Sequence, residues 1–237
     1  MKALISIVSL EEAKIAIPAH PDILDVKNPQ EGSLGAQFPW VLKDAVKESR
    51  GSGILCSATL GDLTYKPGTA SLSAYGAAMC GVGYIKAGLH GISNYDQALS
   101  MMNAIVQAVK MVDSNILVAA SGYADYKRFG GLAYKDLIKA AQNSKSDIVM
   151  VDTAIKDGKS LMDALTYNEI EEFVEMAHEA GLQVALAGSI KKEHLQKLAG
   201  LNPDIIGVRG AVCRNADRNG KIDREMLEEL LVYIKQL

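Results

Sequence analysis

The stretch ALISIVSLEEAKIAIP, residues 3–18, holds the unit from which the fold is read. Ala3–Val8 is an apolar run of strand length, and Ser9 with Glu12 makes the S-x-x-E capping box that opens helices. Pro18 helps to close that helix, because proline lacks the backbone donor a helix interior needs. The turn between the two, Val8-Ser9-Leu10-Glu11, contains no glycine. An open doubly wound sheet often carries G-x-G-x-x-G at this point. The competing way to alternate strands and helices, a closed barrel, is therefore preferred.

Working outward, the same unit recurs to the end of the chain. The run Asp22–Val26 precedes Pro39, behind which Val41, Leu42, Ala45 and Val46 have helical spacing. Gly53–Ala58 is followed by Thr69–Met79, and Gly83–Gly88 by Asn94–Met111, with Ser93 as the expected N-cap. Asn115–Ala120 leads to Tyr134–Ala141, and Asp147–Asp152 to Asn168–Ala180. Leu182–Ala187 leads to Lys191–Leu198, and Asp204–Val208 to Asp223–Gln236. Strict alternation implies parallel strands with helical crossovers. Eight such units in 237 residues predict one α/β domain, a (β/α)8 TIM barrel spanning residues 1–237.

Composition narrows the function classes. With 49% hydrophobic and 22% charged residues the chain is ordinary globular material, not a disordered or fibrous one. A chain of this length buries roughly three quarters of its unfolded surface without disulfides or metals. The formal charge of −3 argues against a dedicated nucleic-acid binder. No apolar run approaches the ~20 residues of a membrane span. The N-terminus enters acidic residues without a cleavage site, so it reads as a first strand and not as a signal peptide. Cys56, Cys80 and Cys213 are odd in number and lack CxxC spacing, which suits buried thiols in a reducing cytoplasm. The histidines at 20, 90, 178 and 194 have no metal-ligand spacing, so no metal site is expected.

The informative residues lie at the ends of strands, where barrels build their active sites. Side chains alternate along a strand, so in Leu24-Asp25-Val26-Lys27 the two charged groups share a face. With Leu24 and Val26 toward the helices, Asp25 and Lys27 point into the barrel. Lys86 in Tyr84-Ile85-Lys86 and Asp152 in Val149-Met150-Val151-Asp152 take similar places, with Lys156 just beyond. A lone lysine at a strand end is usually a solvated rim charge, and an Asp–Lys pair is often only an ion pair. Placement on strands two, four and six, which share interior layers, brings these groups to one mouth. Clustered ammonium groups and desolvation lower a lysine's pKa. The neutral amine can then attack a carbonyl and form a Schiff base, while a second lysine or an aspartate moves the adjacent proton. This is aldol-type chemistry with no metal or organic cofactor.

Two further segments suit an anionic, phosphorylated small molecule. Gly188 and Ser189 follow the seventh strand, and Arg209 and Gly210 end the eighth. Loops after these strands are the usual phosphate position in barrels, and Arg209 adds a forked cation. Taken alone, turn glycines are weak signals. The glycine-containing segments 28–38 and 61–69 read as long loops able to close over a substrate.

LDVKNPQEGSLGAQFPW (24–40) resembles the signature of the (5-formylfuran-3-yl)methyl phosphate synthase family of methanofuran biosynthesis. Also similar are SATLGDLTYKPGTAS (57–71), GYIKAGLHG (83–91), SGYADYKR (121–128), VDTAIKDGKSL (151–161), ALAGSIKKE (185–193) and DIIGVRGAVC (204–213). The resemblance spans essentially the whole chain, and it implies a cytoplasmic lyase. That enzyme condenses two glyceraldehyde 3-phosphate molecules into 4-(hydroxymethyl)-2-furancarboxaldehyde phosphate, losing phosphate and water. The resemblance further implies Lys27 as the Schiff-base lysine, Asp25 as the aspartate paired with it, Lys86 as a proton acceptor, and Asp152 and Lys156 as other required charged positions. Two alternatives stand beside it: another class I aldolase on phosphorylated sugars, and a non-catalytic phosphometabolite-binding protein. Apolar residues on the outer helices are compatible with a homo-oligomer.

Overall fold

The computed structural model describes residues 1–237. Eight parallel strands close into a barrel in sequence order, β1 (Lys2–Ile7), β2 (Ile23–Val26), β3 (Leu55–Thr64), β4 (Tyr84–Gly91), β5 (Leu117–Tyr123), β6 (Ile148–Asp152), β7 (Gln183–Leu186) and β8 (Ile205–Val208). β8 pairs back onto β1, with Lys2 opposite Ile205. The barrel is ringed by α1 (Leu10–Ala16), α2 (Pro39–Ser49), α3 (Pro67–Ala78), α4 (Tyr95–Lys110) and α5 (Tyr134–Asn143). The ring continues with α6 (Leu161–Ala164), α7 (Tyr167–Glu179), α8 (Lys192–Ala199) and α9 (Arg224–Gln236). The TIM barrel read from the alternation is the fold observed.

Alternation along each strand divides the core in two. Outward residues such as Ile5, Ile7, Leu24, Val26, Ile85 and Val149 join the helices in one continuous apolar layer. Inward residues fill the barrel itself: Leu4, Ile23, Tyr84, Ala119, Ile148, Met150, Ala185 and Ile205. This plug supports the charged groups above it.

Local differences from the sequence reading each have a physical reason. Helix α4 is capped by Asn94, not Ser93; the Asn94 side chain accepts from Gln97 N at 3.0 Å. At α1, Ser9 does accept from Glu12 N at 3.3 Å, but the Glu12 carboxylate does not return to the cap. It accepts from Val8 N instead and pairs with Arg209. The short α6 adds a ninth helix. Half of the expected 61–69 loop is strand, because β3 runs on to Thr64 and α3 begins at Pro67. Between Thr59 and Asp62 the register against β4 shifts: Thr59 faces Lys86 while Asp62 faces Gly88. One extra residue therefore sits on β3, a bulge centred where Gly61 adopts φ 107°.

Candidate active site

The centre of the mouth is Asp25. Strand register places Ser6 and Ser57 on either side of it. Their hydroxyls donate to its carboxylate at 3.0 and 2.8 Å, and Lys86 Nζ lies 2.8 Å away. All four residues are buried. Burial opposes ionisation of Asp25, but the Lys86 and Lys27 ammonium groups win and hold its carboxyl below the usual carboxylate range. A second pair stands beside the first, with Lys156 Nζ 2.7 Å from Asp152 and 3.0 Å from Thr153 Oγ1. Burial again opposes ionisation there, yet Lys156, Lys27 and the Thr153 N–H bring Asp152 to about 2.

Lys27 differs from both. It is buried, and the bond its Nζ makes is a long one of 3.4 Å to the Ser33 carbonyl. Lys86 and Lys156 each hold a carboxylate; Lys27 holds none at contact distance. Burial pushes its pKa down to about 8, assisted by Lys86 and Lys156 and resisted by Asp152 and Asp25. An amine near 8 is neutral in a usable fraction at ordinary pH, which is what nucleophilic attack on a carbonyl requires.

The segment carrying Ser33 is fastened down. Asp62 accepts from Ser33 N at 2.8 Å and Leu34 N at 3.2 Å, and Tyr123 Oη also donates to it. Ser33 Oγ donates to Thr153 O at 2.8 Å, and Thr59 Oγ1 to Gly35 O at 2.6 Å. Gly32 has φ 132°, and a β-carbon there would run into the Asp62 carboxylate, so only glycine fits. Burial and the adjacent Asp62 carboxylate push the Tyr123 phenol well above its ordinary value, so it serves as a donor.

These groups open into a cavity of about 850 Å³, within the range of small-molecule sites. Gly188, Ser189, Gly210 and Ala211 line the side formed by the loops after β7 and β8. Gly188 has φ 112° and Ser189 φ 48°, and a β-carbon on Gly188 would sit 2.9 Å from Thr153 N. Arg209 also borders the cavity, but its guanidinium is not the free cation expected of it. Nε donates to Arg218 O at 2.6 Å, Nη1 to Ser6 O and Glu12 Oε2, both at 2.9 Å, and Nη2 to Glu12 Oε1 and Gly220 O at 3.2 and 3.1 Å. All five N–H groups that an arginine possesses are spent inside the protein.

Sequence reasoning placed Asp25, Lys27, Lys86, Asp152 and Lys156 together, and the structure brings them together, but Asp25, expected to pair with Lys27, contacts Lys86 instead. It passed over Ser6, Ser57, Asp62, Tyr123 and Arg218. The serines carried a signal, being hydroxyls at inward positions level with Asp25. Asp62 carried none, since simple alternation from Ser57 and Thr59 points it outward and only the bulge turns it in. Arg218 sits in a turn-like DRNG segment with nothing to single it out.

The 4-HFC-P synthase family matches residues 3–231. The chain is 52% identical over 231 residues to the (5-formylfuran-3-yl)methyl phosphate synthase of Methanocaldococcus jannaschii, covering 97% of this chain and 98% of that one. It is 51% identical over 231 residues to the synthase of the same name from Archaeoglobus fulgidus, covering 98% of each. Among solved structures, a 3-hexulose-6-phosphate synthase superposes with a TM-score of 0.69 at 16% identity, over 99% of this chain and 100% of that one. That last likeness speaks for the fold alone.

Proposed function

The chain belongs to the 4-HFC-P synthase family, and from that premise we propose that it makes (5-formylfuran-3-yl)methyl phosphate for methanofuran biosynthesis. The proposed reaction condenses two molecules of glyceraldehyde 3-phosphate through a Schiff base on Lys27. The observation that carries this reading is the buried Lys27 amine, without a carboxylate partner, brought to about 8 among lysines that do have partners.

The neutral Lys27 amine adds to a triose phosphate carbonyl, and loss of water gives the imine. The iminium draws electrons from the neighbouring C–H bond, and the proton passes to the Lys86–Asp25 pair. The resulting enamine carbon attacks the aldehyde of the second triose phosphate and forms the new C–C bond. Cyclisation, dehydration and elimination of phosphate close the furan, and hydrolysis frees Lys27. Asp152 and Lys156, also a tight pair, manage proton transfer and charge in the later steps. Lys86 is suited to a relay because its Nζ shares a short bond with a carboxylate that two serines hold in place.

Borohydride added with glyceraldehyde 3-phosphate should fix the mass of a reduced triose phosphate imine on the peptide containing Lys27. An adduct that persists in Lys27→Ala would overturn the assignment. Absorbance separates the reading from an aldolase, because a furan aldehyde absorbs strongly in the near ultraviolet and an open-chain aldol does not.

A further inference from the structure

The loop after β8, residues 209–222, carries a second cavity-facing arginine. Arg218 lines the same cavity as Lys27 and Lys86, and its Nη2 is shielded from solvent with no hydrogen-bond partner. Such a group is uncommon, because an unpaired buried donor loses its water without compensation, and more so when charged. Arg209 shows what the loop does with an arginine of structural purpose: every N–H is matched. The two residues are also linked, since Arg209 Nε bonds the Arg218 carbonyl and Arg209 Nη2 the Gly220 carbonyl. Glu12 neutralises Arg209, so of the two arginines at this wall the one without a carboxylate partner is Arg218; Lys191 and Lys192, which also line the cavity, lie 3.8 and 3.7 Å from Glu193 and Glu229.

We propose that Arg218 is the side chain that grips a substrate phosphate in this cavity, and that Arg209 is a positioning residue that holds the loop so that it can. This rests on the phosphorylated-aldehyde reading above and deepens it. A guanidinium presents parallel N–H groups that match two phosphate oxygens. A phosphate monoester dianion in the cavity would supply acceptors to the part of the Arg218 guanidinium that borders it, a group with no carboxylate partner in the protein. The Gly188–Ser189 and Gly210–Ala211 backbones border the same space. Burial and the neighbouring Arg209 guanidinium pull the Arg218 pKa down while Asp152 and Asp62 pull it up. The group nevertheless stays charged at any working pH.

Two measurements test this on the full-length protein. Titration with inorganic phosphate should show binding weakened about 10- to 100-fold in Arg218→Met, the effect of losing hydrogen bonds to a charged partner. In borohydride trapping, the preference of Lys27 for glyceraldehyde 3-phosphate over glyceraldehyde should fall by a similar factor. Arg218→Lys should recover part of both and covers the case in which the methionine variant folds poorly. Arg209→Lys should weaken phosphate binding only through the loop, with partial loss and a lowered melting temperature. Phosphate binding and trapping preference unchanged in Arg218→Met would overturn the proposal. The phosphate titration decides the matter for Arg218 even if the wild-type protein yields no imine, an outcome that would sink the proposed reaction instead.

Discussion

The two sides of the barrel mouth use positive charge in opposite ways. On the β2, β4 and β6 side stand three lysines, two paired with buried aspartates and one left without a carboxylate. On the β8 side stand two arginines, one fully paired with Glu12 and backbone carbonyls and one with an unpartnered buried N–H. On each side one cation is left available, beside two locked lysines on the first and one locked arginine on the second. The lysines can give up protons, so their available member can become a nucleophile. The arginines cannot, so theirs remains a fixed charge. In the proposed reaction, chemistry and holding are thus separated by residue type as well as by position.

The largest expected effect breaks the lysine side outright. Lys27→Ala should form no furan aldehyde above background and no borohydride adduct, while still binding inorganic phosphate; loss of phosphate binding as well would erase the separation. Next, Asp25→Asn removes the partner of a buried ammonium. Activity should fall about 10²- to 10⁴-fold, the usual worth of a positioned proton-transfer group. Stability should drop by about 3–5 kcal/mol in a denaturant titration, as when one half of a buried ion pair is deleted.

On the other side, Glu12→Gln leaves Arg209 buried with an unneutralised charge. A similar loss of about 3–5 kcal/mol is expected, with weaker phosphate binding and a smaller change in kcat. A kcat loss matching that of Asp25→Asn would contradict the division. pH sharpens it further. Imine formation should rise about tenfold per unit up to roughly pH 8 and then level, following the neutral fraction of Lys27. Because the folded Lys27 pKa lies below the ordinary value of 10.5, the unfolded chain binds more protons between about 8 and 10.5. The contribution of Lys27 to stability therefore rises with pH across that window. Arg218 should show no titration there. The smallest effect belongs to Tyr123→Phe, which removes one donor to Asp62 but leaves Ser33 N and Leu34 N bound to it. About 0.5–1.5 kcal/mol of stability should be lost, with a modest fall in kcat and unchanged phosphate affinity.

The lysine side was legible in the sequence and the arginine side was not, for a physical reason. Asp25, Lys27, Lys86 and Asp152 are placed by strand alternation, a local rule with period two. Arg209 was legible as a residue but not as a role, since its partner Glu12 lies 197 positions away. Glu12 itself fitted a capping box that its carboxylate does not complete. The bulge in β3 defeats alternation at Asp62, and an irregular loop carries Arg218 beyond the reach of any period.

The clasp that Asp62 places on Ser33 and Leu34 has a thermodynamic consequence. Segment 28–35 is held at several points by the protein's own residues: Asn28 N to Gly35 O, Ser33 to Asp62 and Thr153, and Thr59 to Gly35. The order that a reactive side chain needs is usually imposed when a ligand closes a loop over it, and that ordering weakens binding. Here the ordering entropy falls on the folding of the barrel, once per chain, and not on each turnover.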